Sequence, residues 1–339
     1  MNAIILKTKP YSMFRLGVGS LEETDKIIHS DTLFSAIVNV HFTVFDNTEE
    51  FIQLFERGNI KISSAFPMLS ERNGESKIYF LPKPELNYEV HSNIKAEKKV
   101  KFISLNVFNT FLQQKEVNFT QNNVLIGSEF VVTPSEFERS DEIPSFIKVI
   151  TIPKTKAHTP KRENAFYHEA DIQLIPLTVN KKIFEPNFYF FYELDCDDEK
   201  KKEFFTCLRI LADEGIGGER STGKGQLVGI NETELPLDNL NKTGKLLLLS
   251  LFNPKSQDEF SAVENYNLLI RGGGSVSFDS ENDEDESIVK RYRKKQARMI
   301  AEGAVLTKNV EGRLVDVTPE KGANHKIYRY GKSFTIALG

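Results

Sequence analysis

The sequence predicts an α+β protein that consists of two tandem ferredoxin-like (RRM-like) domains with a glycine-rich loop and a β-hairpin thumb insertion. Two observations predict this fold class. Strand and helix patterns follow one another in the order βαββαβ, and this order occurs twice along the chain. The length of 339 residues also exceeds the size that one hydrophobic core usually serves. We place the domains at residues 1–182 and 183–339, with the thumb-like insertion at about residues 83–165.

The first half opens with a strand at residues 1–9 and continues with a helix that begins near His29 and ends near residue 45. Ser30 or Asp31 is a natural N-cap for this helix, because either side chain can accept hydrogen bonds from the unpaired N–H groups of the first turn. The other predicted elements of this half are strands at 60–67 and 77–81, a helix at 105–113, long arms at 124–132 and 146–152, and a segment at 166–175 that pairs back against the arms.

The pattern restarts near residues 179–186, which is why we expect the domain boundary there. The predicted elements of the second half are strands at 188–194, 226–230, 245–252 and 266–270, helices at 199–213 and 257–264, an extended segment at 298–306 and a closing strand at 328–338. A glycine cluster, Arg271-Gly272-Gly273-Gly274, follows the strand that ends at residue 270.

The segment from Gly215 to Gly225, GIGGERSTGKG, combines five glycines with two cations and two hydroxyl side chains. Glycine lacks the Cβ atom that would keep a phosphodiester away, and it allows positive-φ turns that align backbone N–H donors on an anion. The composition therefore predicts a loop that binds a polyanion. A surface loop without a ligand is the alternative interpretation.

Two nucleotide-binding motifs come close to this segment, but neither fits. A Walker A motif requires Ser or Thr after Lys224, where the chain has Gly225, and it requires a strand where residues 200–213 predict a helix. A dinucleotide fingerprint requires a third glycine where the chain has Arg220, and it also needs a preceding strand. A polyanion other than a nucleotide is favoured.

The charge distribution adds to this interpretation. The formal net charge is −4, which by itself argues against a nucleic-acid-binding surface. The charges are segregated, however: residues 148–162 carry five cations and no carboxylate, residues 95–101 are also basic, and acidic residues concentrate at 279–286. Such segregation is compatible with a local groove for a polyanion.

Four local motifs together resemble one known family. His29-Ser30-Asp31-Thr32-Leu33-Phe34 resembles the opening motif of the RAMP subunit that caps the crRNA 5′ handle in type III-A CRISPR (Csm) effector complexes. The loop at 215–225 is similar to that family's glycine-rich loop, Arg271-Gly272-Gly273 to its RGG turn, and residues 325–334, HKIYRYGKSF, to its C-terminal block. The matches extend from near the start of the chain to its end.

The resemblance implies a non-catalytic subunit that holds the single-stranded 5′ handle of crRNA, seats the large polymerase-like subunit and starts the filament of backbone RAMP subunits. Target RNA would be met only through the assembled complex. Backbone N–H groups can bind the phosphates of single-stranded RNA while side chains contact bases and 2′-hydroxyls. The predicted RNA-binding residues are His29, Ser30, Asp31, Gly217, Gly218, Arg220, Ser221, Thr222, Gly223, Lys224, Gly225, Arg271 and Gly272, with His158, Lys161 and Arg162 in the thumb.

Some of these residues have structural alternatives. Asp31 could be a plain helix cap, Arg271 could pair with a carboxylate in the core, and the thumb cations could lie on a solvated loop. At the thumb the chain has Pro160-Lys161-Arg162 where an Asp-Arg pair is commoner in the family.

Other functions remain open at this point. Some RAMP relatives are metal-independent endoribonucleases that process crRNA with a histidine as general acid or base, and His29 is the candidate for that role. A protein scaffold with purely structural glycine turns, and the equivalent capping subunit of a type III-B complex, are further alternatives. We expect a cytoplasmic protein without membrane association, and neither a metal nor a diffusible cofactor is indicated.

Overall fold

The structure is a computed structural model that describes residues 1–17, 21–86, 94–114, 118–138, 143–155, 166–237, 244–278, 289–320 and 325–338. The predicted thumb residues His158, Lys161 and Arg162, and the acidic segment at 279–286, lie outside the described residues.

The chain contains both helices and mainly antiparallel strands, as an α+β fold does. The helices in the described ranges are α1 (Ser30–Val44), α2 (Thr48–Arg57), α3 (Ile94–Lys99), α4 (Leu105–Gln114), α5 (Asp198–Glu214) and α6 (Gln257–Ser261). The strands up to the glycine-rich loop are β1 (Asn2–Thr8), β2 (Met13–Phe14), β3 (Ile60–Ile62), β4 (Phe66–Glu71), β5 (Lys77–Pro82), β6 (Phe102–Ser104), β7 (Val124–Ile126), β8 (Phe130–Val132), β9 (Ile147–Thr155), β10 (Phe166–Leu174), β11 (Leu177–Val179) and β12 (Lys182–Leu194).

The remaining strands follow the loop. They are β13 (Leu227–Glu234), β14 (Leu246–Leu248), β15 (Val263–Asn265), β16 (Leu268–Arg271), β17 (Gly274–Phe278), β18 (Val289–Arg293), β19 (Ala297–Ile300), β20 (Val305–Leu306), β21 (Gly312–Asp316), β22 (Tyr328–Lys332) and β23 (Thr335–Ala337).

The centre of the molecule is a ferredoxin-like unit. Strands β13, β1, β12 and β4 are neighbours in this order within a ten-stranded sheet, and each neighbouring pair is antiparallel. Helix α1 follows β1, helix α5 joins β12 to β13, and the two helices pack together. This is the βαββαβ arrangement of one ferredoxin-like unit. Strands from both sides of the predicted boundary after residue 182 belong to it, so the sheet continues to Glu234.

The central strands are apolar on both faces, as expected for strands covered from two sides. In β1 the run from Ala3 to Leu6 is buried, and in β12 residues Phe188 to Phe191 are fully buried. Ala3 lies opposite Phe191 on one side and opposite Thr233 on the other. The first strand of the chain is therefore enclosed between elements formed about 190 and 230 residues later.

A large insertion, β5 to β11, separates β4 from β12. Within it β9 and β10 form a long antiparallel hairpin, which confirms that residues 166–175 pair back against the arm at 146–152. The predicted arm at 124–132 is wrong as one continuous element: the chain turns at Gly127, whose φ is 57°, and β7 pairs with β8 as a short hairpin.

The C-terminal unit consists of a four-stranded sheet of order β15-β20-β14-β23 and three two-stranded ladders, β16-β19, β17-β18 and β21-β22. Within its described residues α6 is the only helix. The unit packs directly against the ferredoxin-like unit: the backbone N–H of Ile62 donates to the hydroxyl of Tyr330 at 3.1 Å, and that of Ser64 donates to the carbonyl of Leu249 at 2.8 Å. In the part of the chain that the structure describes, no helix is long and apolar enough to cross a membrane.

Candidate functional site

The glycine-rich loop begins where α5 ends. Asp197 caps the start of α5 by accepting a hydrogen bond from the N–H of Lys200 at 2.8 Å, and Gly215 ends the helix with a φ of 85°. The predicted helix before the loop is thereby confirmed. The loop follows the second helix of the ferredoxin-like unit and leads into its last strand, β13.

The two ends of the loop are held by the protein itself. The N–H of Gly218 donates to the carbonyl of Arg15 at 3.0 Å, that of Gly225 donates to Met13 at 2.7 Å, and that of Ile216 donates to Gly225 at 2.9 Å. These N–H groups are therefore already used. The apex, residues 218–223, is exposed and contains a single 3-10 turn, Arg220–Thr222.

The glycines of the loop fall into two groups. A Cβ atom on Gly225 would lie 2.0 Å from the carbonyl oxygen of Ile216, and one on Gly217 would lie 2.6 Å from that of Arg15, so these glycines allow the chain to fold back on itself. Gly223 also has a positive φ of 85°, but a Cβ atom there would meet no atom within 4 Å. Gly223 is the glycine that leaves open space at the surface of the apex.

The two cations of the loop differ in environment. Arg220 is exposed and pairs with Glu214 at 3.2 Å across two exposed side chains. Lys224 points inward, where its ammonium lies 2.6 Å from Asp171 and 3.4 Å from Glu169, both buried on β10. Arg220 is thus available to a ligand, whereas Lys224 ties the loop to the hairpin.

A cluster of charges extends from Lys224 along the β9–β10 hairpin. Arg15 lies 3.3 Å from Glu169 and 3.7 Å from Asp171, and Lys154 on β9 pairs with Glu169. Burial would raise the pKa of the Glu169 carboxyl, but its bond to Lys154 and the charges of Arg15 and Lys224 lower that pKa below its ordinary value. Arg15, Glu169 and Asp171 are not among the residues predicted from the sequence, because their partners are distant along the chain.

The three polar side chains that open α1 all contact the C-terminal unit. Asp31 is fully buried, and its carboxylate accepts hydrogen bonds from Arg271 Nε at 3.0 Å and Nη2 at 2.9 Å, and also from Arg329. The two guanidinium charges more than offset the effect of burial and hold the pKa of Asp31 well below its ordinary value. Of the two roles weighed for Arg271, the structure shows the carboxylate pair.

The predicted N-cap at Ser30 or Asp31 is wrong. The N-cap position is His29, and no side chain makes a capping hydrogen bond. The hydroxyl of Ser30 instead accepts from the N–H of Leu251 at 3.0 Å, while the Ser30 N–H donates to the hydroxyl of Ser64 at 2.8 Å. Contacts across the interface have replaced the local cap.

His29 is buried between two carboxylates. Its Nδ1 lies 2.9 Å from Glu302 of the C-terminal unit, and its Nε2 lies 2.6 Å from Asp25. Burial disfavours the charged imidazolium, but the Glu302 charge and the two hydrogen bonds outweigh burial and raise the pKa of His29 to about 9. The His29 side chain is therefore a charged imidazolium at neutral pH, and each of its ring nitrogens is paired with a carboxylate.

The short segment at residues 13–17 connects the glycine-rich loop with the RGG turn. Met13 and Arg15 accept the hydrogen bonds of the loop, and the carbonyl of Gly17 lies 3.5 Å from Arg271 Nη1. The carbonyl of Gly272 accepts from Arg329. The structure thus places the predicted loop and turn on either side of one segment, and RNA contact by their residues stays a prediction.

The described residues contain no group of three or more His, Cys, Asp or Glu side chains arranged to hold a metal ion.

The ferredoxin-like unit with its glycine-rich loop has the architecture expected of the RAMP class of CRISPR proteins. Residues 241–338 match the family model of the CRISPR Csm4 C-terminal domain. The chain is 26% identical to the CRISPR system Cms protein Csm4 of Methanocaldococcus jannaschii, over 99% of the chain and 97% of that protein. It is 24% identical to the protein of the same name from Streptococcus thermophilus, over 95% of the chain and 94% of that protein.

Solved structures show the same similarity at the level of the fold. The chain is similar to the crystal structure of the Csm3-Csm4 subcomplex in the type III-A CRISPR-Cas interference complex, with a TM-score of 0.67, 23% identity and 99% coverage of each chain. It is also similar to the Csm1-Csm4 cassette in complex with cA4, with a TM-score of 0.55, 19% identity and coverage of 99% of this chain and 97% of that one. The resemblance to the Csm4 type of RAMP protein, inferred from the motifs, is confirmed, and so is the α+β fold class.

Proposed function

We propose that this chain is the non-catalytic RNA-binding subunit of a type III-A CRISPR-Cas effector complex and that it holds the 5′ handle of crRNA. The observation that carries the proposal is the exposed apex of the glycine-rich loop. There Arg220, Ser221 and Thr222 stand beside Gly223, whose missing side chain leaves room for a phosphodiester. The likeness to Csm4 over the whole chain supports the same role.

The protein partners proposed are the large polymerase-like subunit and a backbone RAMP subunit. This proposal is supported by two solved relatives, which are a Csm1-Csm4 cassette and a Csm3-Csm4 subcomplex. Target RNA is met only through the assembled complex.

The proposal of a non-catalytic role is supported by the environment of His29. A general acid or base must reach the scissile phosphate group within hydrogen-bonding distance. His29 is 4% exposed, and both of its ring nitrogens already face carboxylates. Incubation of the purified protein with repeat RNA in the absence of metal tests this point: we expect no cleavage, and site-specific cleavage lost in His29→Ala would show an endoribonuclease instead.

RNA binding is tested by titrating the assembled complex, or the full chain, with an RNA that carries the host's repeat-derived 5′ handle and with a scrambled RNA of the same length. We expect tighter binding of the handle. Arg220→Ala should weaken binding and reduce the salt slope, because one phosphate contact contributes about 0.7 to that slope for a single strand. If handle affinity and its salt dependence are the same in Arg220→Ala, the loop does not bind the RNA.

Copurification with sequencing of the bound small RNA identifies the complex. We expect the Csm subunits and RNAs that begin with the repeat-derived handle. Recovery of type III-B subunits instead would assign the chain to the equivalent capping position of that complex.

A further inference from the structure

The charge cluster on the β9–β10 hairpin contains one carboxylate that differs from the others. Glu219, in the exposed apex of the glycine-rich loop, lies 3.1 Å from the ammonium of Lys154 on β9. Lys154 thus contacts two carboxylates, because it also pairs with the buried Glu169. Glu219 joins the apex of the loop to the hairpin across the surface that we propose for RNA.

The cluster is electrically balanced only when Glu219 is included. Three cations, Arg15, Lys154 and Lys224, face the two buried carboxylates Glu169 and Asp171. That inner set alone has a surplus of one positive charge. Within the described residues, Glu219 is the carboxylate that balances it.

Glu219 is also the member that can be exchanged. The side chains of Glu169 and Asp171 are 4% and 0% exposed, so no ligand reaches them without unfolding the site. The side chains of Lys154 and Glu219 are 28% and 37% exposed, and an ion pair in such a position is worth only about 0.2–1 kcal/mol. Because this pair is weak, an RNA phosphate group, which also forms charge-assisted hydrogen bonds with an ammonium group, can replace the Glu219 carboxylate at Lys154.

We infer that Lys154 is a further phosphate-binding residue and that Glu219 occupies its ammonium until an RNA phosphodiester takes the carboxylate's place. This inference rests on the proposed function. Its consequence is that RNA loading releases the loop apex from β9, while Glu169 keeps Lys154 in position. Glu219 then acts against weakly bound polyanions, because each must displace an internal anion first.

The direct test is Glu219→Gln, which removes the negative charge and retains the size of the side chain and the backbone at φ 59°. Titration of the assembled complex with handle RNA should give a Kd about two- to fivefold lower than that of the unchanged protein, since the competing exposed pair is lost. The salt slope should become steeper by up to about 0.7, because the phosphate contact of Lys154 is no longer offset by the displaced Glu219 charge. A scrambled RNA should gain at least as much as the handle RNA.

Asp198→Asn is the matched control. It makes the same change in charge at a side chain that is 90% exposed, in the first turn of α5 and thus about 25 Å from the loop at the opposite helix end. We expect no change in Kd. An equal gain in both variants would overturn the inference, since net charge alone would then explain it.

A double-mutant cycle separates this inference from the proposed function. Lys154→Ala should weaken RNA binding, and Glu219→Gln should have no further effect when Lys154 is absent. If Arg220→Ala weakens binding of handle RNA but Glu219→Gln leaves it unchanged or weaker, the exchange is wrong and the proposed function stands. If the unchanged protein does not prefer handle RNA to scrambled RNA, the proposed function itself fails.

Discussion

Asp31 and Arg271 are 240 positions apart in the sequence, yet they form a buried ion pair with two hydrogen bonds, of 3.0 and 2.9 Å. Arg329 binds the same carboxylate, so one aspartate at the start of α1 holds two arginines of the C-terminal unit. Both arginines therefore share a single negative charge in this part of the interface between the two units.

Replacement of Asp31 by Asn should destabilise the protein strongly. Two buried guanidinium groups would lose their counter-charge, and breaking a buried pair in this way costs about 3–5 kcal/mol. Urea unfolding measures the change. The exposed Asp198→Asn should stay within about 0.5 kcal/mol of the unchanged protein. The expected loss of stability is about 3–5 kcal/mol, so a loss below about 1 kcal/mol for Asp31→Asn would contradict the importance of the pair.

The pH dependence of stability should show the protonated His29. Its pKa is raised from 6.5 to about 9 in the folded protein, so the folded state binds a proton that the unfolded state releases above pH 6.5. The stabilisation is complete below about pH 6.5 and is lost as the pH rises through about 9, and it amounts to about 3 kcal/mol at most.

Unfolding free energies of the unchanged protein and of His29→Gln, measured between pH 6 and 10, check this expectation. His29→Gln should be less stable than the unchanged protein at pH 6. Its free energy of unfolding should not show the fall between about pH 6.5 and 9 that the titration of His29 causes in the unchanged protein. The same decline in both proteins would mean that another group causes it.

Two glycines of the loop should respond differently to alanine. Gly225→Ala places a Cβ atom 2.0 Å from the Ile216 carbonyl oxygen at a φ of 74°, and it should cost about 3 kcal/mol or more. Gly223→Ala meets only open space and should cost about 1–2 kcal/mol for its positive φ. Thermal unfolding compares the two variants. Equal destabilisation would show that the loop closes differently from the structure.

Substitution of the two loop cations should affect RNA binding and protein stability separately. Lys224→Ala removes the ammonium 2.6 Å from the buried Asp171 and should cost about 3 kcal/mol of stability. Arg220→Ala, at an exposed pair, should change stability by no more than about 0.5 kcal/mol while it weakens RNA binding. Unfolding and RNA titration on both variants provide the measurements. A stable Lys224→Ala protein would contradict the buried role.

The local elements of the fold could be predicted from the sequence because their causes are local. The apolar run after Met1 predicted β1, the periodic pattern after Asp31 predicted α1, and the helix before Gly215 was confirmed as α5. Helix α2 was missed, although Phe51 and Phe55 share one face and Gly58 ends the helix with a φ of 79°. The spacing of Phe51 and Phe55 and the glycine at position 58 would have been sufficient to predict this helix from the sequence.

The partners of the charged residues could not be predicted in the same way. Asp31 was a plausible helix cap by sequence, and nothing near it in the chain indicates Arg271 or Arg329 as its partners. Lys224 is predicted to bind RNA, and nothing near it in the chain indicates Asp171 as the partner of its ammonium. The extent of the ferredoxin-like unit was hidden as well, because the insertion from β5 to β11 separates β4 from β12. Such relationships follow from tertiary packing alone.

The pairing of β1 between β12 and β13 also sets the order in which the chain can fold during synthesis. Ala3 meets Thr233, so β1 waits until about 230 further residues have been made before its sheet is closed. At ribosomal rates this delay is roughly 10 s or more. Throughout that time a strand with four consecutive apolar residues, Ala3 to Leu6, has an open edge, which makes the nascent chain a substrate for chaperones and a candidate for aggregation.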